Sequence, residues 1–251
     1  MDLGIEGRVA LVMASTSGVG NGTARALAAE GARVAVVSRS AKRAQHAASE
    51  IEGTAAGFEG DSNDLERLAA LPAEVAGTLG GEVEILVTNT GGPPLGGTFD
   101  VAAEQWDEAY RTLVSAPRVL IEACLPAMRA AGWGRIVNVA SSSIVEPIPG
   151  MALSNSTRMA TVGLFKTLSR EIAAEGITVN TVATGRFATP RLSTNYGSME
   201  AAEEAAKEAV PAGRLGTPEE YGDLVAFLCS ERATFLTGAV IPLDGGMLRS
   251  S

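Results

Sequence analysis

The sequence predicts an α/β fold, a doubly wound parallel sheet of seven strands with helices on both faces, in one domain over residues 1–251. Three observations carry this expectation. Short apolar runs of strand length alternate with stretches of helix length almost throughout. The first of these runs ends in a Gly/Ser/Thr turn that opens a helix. No linker-like stretch or internal repeat divides the 251 residues, a length usual for one α/β domain.

Residues 9–14, Val-Ala-Leu-Val-Met-Ala, are apolar without alternation, as expected of a strand buried on both faces. A helix follows over 18–30, a second strand over 33–38, a helix over 41–51 and a short third strand over 57–60. Residues 63–79 form a helix and 83–87 a fourth strand, which runs into Thr88-Asn89-Thr90-Gly91-Gly92. A long helix spans 103–130, with Pro117 expected to bend it because proline removes one helical donor. The fifth strand is 135–140, a second long helix 151–174, and the sixth strand 177–182. Residues 186–216 are an insertion with one Ala/Glu-rich helical piece, followed by a helix over 218–229 and a closing strand over 239–243. The insertion leaves a strand at its carboxyl end, where doubly wound sheets bind ligands, so a substrate lid is expected there. The whole pattern is Rossmann-type.

Composition narrows the function. The formal charge of −9 argues against nucleic acid as a partner, which needs clustered Lys and Arg. No apolar run is long enough to span a membrane. The amino-terminal residues lack the layout of a signal peptide, so a cytoplasmic location is the expectation. Cys124 and Cys229 sit in apolar contexts and read as core residues. His46 is the sole histidine, on a surface helix, which disfavours a histidine triad, and no metal site is expected.

The turn Ser15-Thr16-Ser17-Gly18-Val19-Gly20 lies between the first strand and first helix. Its glycines let backbone approach a pyrophosphate, and the helix N-terminus offers amide donors. The second strand ends in Ser38-Arg39, with no acid to hold the ribose diol of NAD. Arg39, with Lys42 and Arg43 nearby, suits the extra phosphate of NADP, so NADP is expected ahead of NAD. The alternative for Arg39 is an ordinary solvated arginine.

In order and spacing these segments resemble the short-chain dehydrogenase/reductase family over essentially the whole chain. The family's Thr-Gly-x-x-x-Gly-x-Gly appears as residues 13–20, with Ala14 in place of the first glycine. Asp61 matches its adenine-contacting aspartate, and Thr88-Asn89-Thr90-Gly91 its Asn-Asn-Ala-Gly. Thr184-Gly185 stands for the Pro-Gly after the sixth strand, followed by Thr189. The segment from Gly213 to Glu220, Thr237-Gly238 and Asp244-Gly245-Gly246 are similar to 3-oxoacyl-(acyl-carrier-protein) reductases, which implies a 3-oxoacyl type of substrate. The resemblance also implies a homodimer or homotetramer. It assigns cofactor contacts to Ser15, Ser17, Gly18, Val19, Gly20, Ser38, Arg39, Asp61, Asn89, Gly91, Arg158, Gly185 and Thr189.

The family's catalytic residues carry over one at a time. Its serine, which hydrogen-bonds the substrate carbonyl, is Ser141, thirteen residues before the tyrosine position. The tyrosine position holds Ser154. A phenol can be tuned towards neutrality by a nearby cation, whereas an aliphatic hydroxyl is a much weaker acid. The lysine position holds Arg158, a permanent cation that suits ribose hydroxyls, a substrate carboxylate or a developing oxyanion. An ion pair with a neighbouring carboxylate is its purely structural alternative. The family's asparagine, counted from Trp106, becomes Leu113. Other acids near the expected cleft are Tyr196 in the insertion, Tyr110 and Glu146, with Tyr196 favoured because closure of the insertion would bring it over the site.

The expected function is therefore an NADP-dependent oxidoreductase interconverting a carbonyl and an alcohol, with Ser141, Ser154 and Arg158 at the reacting centre. Two alternatives stay open. One is a non-redox enzyme on the same scaffold, a lyase, dehydratase or cyclase. The other is a nucleotide-binding protein without turnover.

Overall fold

In the computed structural model, which describes residues 2–249, the strands lie in the order β3-β2-β1-β4-β5-β6-β7 and every neighbouring pair is parallel. The two ends of the expected 1–251 domain, Met1 and Ser250–Ser251, lie outside the described residues. The strands are β1 (Val9–Val12), β2 (Arg33–Ser38), β3 (Ala55–Glu59), β4 (Val83–Thr88), β5 (Gly134–Val139), β6 (Ile177–Thr184) and β7 (Val240–Leu243). The order reverses between β1 and β4, and that reversal opens a crevice at the carboxyl ends of the strands.

Alternation within the apolar runs sorts the core into two layers. Ala10, Val12, Val34 and Val36 face one side with Ile85 and Val87, while Val9, Leu11, Ala35 and Val37 face the other with Leu86. Both layers are buried because crossover helices cover both faces. Helices α1 (Gly18–Ala29) and α9 (Pro218–Leu228) cover the first. Helices α3 (Leu65–Leu79), α5 (Ala116–Ala131) and α6 (Ala152–Ile172) cover the second, while α2 (Ala41–Ser49) packs beside β2 and β3. α1 and α9 touch at their backbones: a Cβ on Gly22 would lie 1.9 Å from the Pro218 carbonyl, and one on Gly222 2.3 Å from the Gly22 carbonyl. Thr217 Oγ1 caps α9 by accepting from Glu220 N, and Thr217 N donates in return to the Glu220 carboxylate, so the helix start is fixed where this contact needs it.

The helix expected over 103–130 is divided into α4 (Ala103–Tyr110), a π-helical turn at Arg111–Ser115, and α5. Pro117 distorts the helix from inside the first turn of α5. Its missing N–H leaves the Leu113 carbonyl without the usual donor, and Thr161 Oγ1 of α6 donates to that carbonyl at 2.7 Å. The 186–216 insertion holds two helices where one was expected, α7 (Pro190–Tyr196) and α8 (Met199–Ala209). Thr189 caps α7 and Ser198 caps α8, with Gly197 in the left-handed region between them. Ala202, Ala206, Val210 and Leu215 give the insertion a small core of its own. Cys124 and Cys229 are free and buried, and burial pushes both thiols up to about 12, as expected of core cysteines.

Candidate active site

A cavity of about 1020 Å³ opens at the carboxyl ends of β1, β4, β5 and β6, with α7 along one wall. One end is the turn after β1. Ser15 ties the central strands together: its Oγ donates to the Val12 carbonyl at 2.6 Å and accepts from Val37 N at 3.0 Å. Its side chain is thus part of the turn and not of the cavity wall. Asn89 Nδ2 donates to the Ala14 carbonyl at 3.2 Å, fastening the turn to the end of β4. A Cβ on Gly20 would sit 2.5 Å from that same carbonyl and 2.6 Å from Asn89 Nδ2, so only glycine fits. Ala14 itself has φ +47°, the left-handed backbone for which glycine is suited and for which alanine is strained.

Ser17, Val19, Asn89 and Gly91 line the cavity, and Gly18 sits against Thr189 at the start of α7. Ser17, at the head of α1, makes no side-chain cap bond, and no acid stands in the first turn. The first amides of α1 are thus left to an anion. A Cβ on Gly91 would meet nothing within 4 Å, which leaves clear space over that backbone. These features fit a dinucleotide. Ser38, Arg39 and Asp61 lie farther out, at the ends of β2 and β3 and beyond the residues lining the cavity. The Ser38 hydroxyl is engaged with Ser40 backbone, and Asp61 Oδ1 accepts from Asn63 N. Arg39 is exposed.

The other end gathers Ser141, Ser154, Arg158, Gly185 and Thr189. Ser141 Oγ accepts from Ser143 N at 3.1 Å, which leaves its O–H to donate into the cavity. Ser154 and Arg158 project from one face of α6, one turn apart, and both are buried. Arg158 Nη1 donates to the Val139 carbonyl at 2.9 Å, while its Nε is buried with no partner. Among the described residues no carboxylate pairs with Arg158, so the structural ion pair considered for it is not formed. Burial lowers its pKa to about 10, with the buried Tyr221 raising it and the like charge of Arg191 lowering it further. Leu113 is buried in the π-helical turn, and Thr189 Oγ1 accepts from Leu192 N.

Of the other acids read from the sequence, Tyr196 and Glu146 line the cavity. The Tyr196 ring lies under the Arg186 guanidinium at 5.6 Å, and Glu146 Oε1 accepts from Arg249 N. Tyr110 is exposed and lies outside the lining residues. Sequence reasoning missed Arg191 and Tyr221. Arg191 reaches across from α7 to donate to the Pro93 carbonyl at 2.9 Å. Tyr221 is fully buried on α9, its ring edge-on to Phe187 and its hydroxyl 3.0 Å from Thr184 Oγ1, which lines the cavity. Burial raises its pKa, so the phenol stays neutral. Nothing local in Glu-Tyr-Gly-Asp distinguishes Tyr221 from a packing aromatic. The substitution of Thr184 for the expected proline was the one available signal.

A family model described as Enoyl-(Acyl carrier protein) reductase matches residues 13–248. Dehydrogenase/reductase SDR family member 4 of Homo sapiens is 37% identical over 246 residues, covering 95% of this chain and 87% of that protein. The 3-oxoacyl-(acyl-carrier-protein) reductase of Aquifex aeolicus (strain VF5) is 32% identical over 251 residues, covering 98% of this chain and 100% of its own. L-sorbose reductase from Gluconobacter frateurii, solved with NADPH and L-sorbose, superposes with a TM-score of 0.92 at 32% identity over 100% of both chains. With a matching sheet, a matching phosphate turn and relatives that align end to end, the chain belongs to the short-chain dehydrogenase/reductase family of oxidoreductases.

Proposed function

We propose that this protein is an NADP-dependent reductase that interconverts a carbonyl and an alcohol at a Ser/Arg centre. The observation that carries the reading is the single cavity, which joins the phosphate turn to Ser141, Ser154 and Arg158. When bound, the nicotinamide supplies or accepts the hydride. Ser17, Gly18, Val19 and Gly20 would hold its pyrophosphate, with Ser15 shaping the turn. Ser38, Arg39 and Asp61 would hold the adenosine end, Arg39 contacting the extra phosphate. Asn89, Gly91, Arg158, Gly185 and Thr189 would border the nicotinamide riboside. Relatives solved with NADPH or NADP, the sorbose reductase among them, support the cofactor.

Ser141 and Ser154 donate hydrogen bonds to the carbonyl oxygen, and the Arg158 guanidinium stabilises the negative charge that builds there. The proton reaches that oxygen from water in the cavity, relayed by Ser154. The 186–216 insertion acts as the lid, carrying α7 and Tyr196 over the substrate. A second reading is reduction of a carbon–carbon double bond conjugated to the carbonyl. The absence of a phenol at Ser154 favours it, because an enolate held by Arg158 takes its proton at carbon from water.

The test is direct. NADPH is expected to bind at micromolar concentration, more tightly than NADH, and to be consumed with a member of a ketone and enone panel. Alcohol product supports the first reading and saturated ketone the second. Binding without consumption across the panel would return the protein to a non-redox or purely nucleotide-binding role. The exposed Phe227, Phe235 and Val240 support assembly as a homodimer or homotetramer. No helix among the described residues is long and apolar enough to cross a membrane. A cytoplasmic location completes the reading.

A further inference from the structure

Among the described residues, Arg158 is a buried cation with a side-chain nitrogen left unpartnered. It is 8% exposed, makes one hydrogen bond to a backbone carbonyl, and keeps Nε without a partner while lining the cavity. A buried cation without a counter-charge is unfavourable unless something in the working state completes it. Neutral ribose hydroxyls would satisfy its donors but not its charge. Arg191 reinforces the point. It lines the same cavity from α7, close enough that its charge works against that of Arg158, and it donates to the Pro93 carbonyl. Two guanidinium groups thus face one space in a chain of net charge −9. Arg186 also lines the cavity, and among the described residues Glu146 is its one acidic lining residue. The adjoining wall is apolar, with Leu95, Ile148, Met151 and Leu192.

We infer that the substrate is an apolar oxo acid whose free carboxylate is held between Arg158 and Arg191, with its body against the Leu95–Ile148–Met151 wall. The inference rests on the reductase reading and narrows it. A carboxylate takes N–H donors from a guanidinium, and Arg158 has its second Nη to offer, with Arg191 supplying donors from the facing helix. The neutral acyl thioesters suggested by the resemblance to acyl-carrier-protein reductases would leave both charges unmatched.

The test pairs acids with neutral counterparts. Purified protein saturated with NADP is titrated calorimetrically with 2-oxohexanoate, 4-oxohexanoate and 5-oxohexanoate, each beside its methyl ester, and with a 3-oxohexanoyl N-acetylcysteamine thioester. Turnover with NADPH is measured on the same set. At least one acid is expected to bind tenfold or more tightly than its ester and than the thioester. Arg191→Gln, an exposed position that leaves the core untouched, is expected to cut that preference to threefold or less while the Kd for NADPH stays within twofold. Arg158→Lys is expected to keep part of the preference, because the charge survives and the fork does not. Equal binding of every acid and its ester would overturn the inference. So would loss of NADPH affinity in Arg191→Gln with the acid preference intact, because the pair would then serve the cofactor's phosphates. Acid binding without turnover leaves the carboxylate site standing and removes the reductase reading. Turnover of esters and thioester alone does the reverse.

Discussion

The two ends of the cavity are fitted on different terms. At the phosphate end the side chains that shape the turn are matched within the protein, and only the first amides of α1 stay open: Ser15 bridges β1 and β2, Asn89 holds the Ala14 carbonyl, and Gly20 fits against both. At the reacting end Arg158 is buried with one carbonyl and an idle Nε, and Ser141 keeps a free donor. A site whose parts are satisfied in the free protein is a shape that waits for its ligand. A site that holds an unmatched charge is complete only with the ligand in place. On the proposed reading the scaffold keeps the first and exchanges the second, with Ser154, Arg158 and Leu113 at the positions where tyrosine, lysine and asparagine are expected from the family.

That contrast can be broken most forcefully at Arg158. Arg158→Ala is expected to lower kcat/KM by roughly 100- to 1000-fold, the effect of removing one preorganised donor to a developing anion. Its Kd for NADPH should stay within a few-fold. A parallel collapse of nucleotide binding, measured by fluorescence titration, would make Arg158 a cofactor residue and erase the division between the two ends. Gly20→Ala is the mirror experiment. The added Cβ must displace the Ala14 carbonyl and Asn89, so NADPH affinity is expected to fall by about 2–3 kcal/mol, roughly 30- to 150-fold. Ser154→Ala should cost about tenfold in kcat, the size of one hydrogen bond between neutral partners, with KM for NADPH unchanged. A loss of several thousandfold would instead make Ser154 the principal acid.

The pH profile sharpens the same division. Arg158 holds its proton up to about pH 10. Its charge is constant below that value and is lost as pH rises through it. kcat/KM is therefore expected to be flat from about pH 6 to about pH 9, where a tuned phenol would show an inflection. The smallest effect belongs to Ala14→Gly. Relief of a left-handed alanine is worth about 1–2 kcal/mol, and the added freedom of glycine in the unfolded chain offsets about 0.4–1 kcal/mol. A gain in Tm of a few degrees, with unchanged turnover, would locate this strain in the phosphate turn alone.

Much of the molecule was legible because its signals are local. Alternating apolar runs gave the seven strands, and the turn at 15–20 gave the nucleotide end. The register from Ser141 to Ser154 and Arg158 picked out three residues that line one cavity. What was misjudged depended on partners distant in sequence. Pro117 acts through Thr161, which captures the carbonyl that proline leaves without a donor. The division of the insertion at Gly197 is the exception, a local signal that was passed over: Ser198 caps a new helix there by accepting from Ala201 N. Tyr221 finds Thr184 across the fold, and Arg191 enters the cavity from a helix whose direction no local pattern specifies.

The sequence by itself determined the layered α/β architecture, the glycine-containing turn after the first strand and the spacing that sets Ser154 and Arg158 one turn apart on one helix. Periodicity, turn chemistry and spacing are properties of neighbours along the chain. Only the tertiary structure decided that Arg158 has no carboxylate partner among the described residues and that Arg191 lines the same cavity. It also decided that α7 stands beside them. Burial and electrostatic balance are sums over groups that the chain brings together from afar, and they exist only once the fold has closed around them.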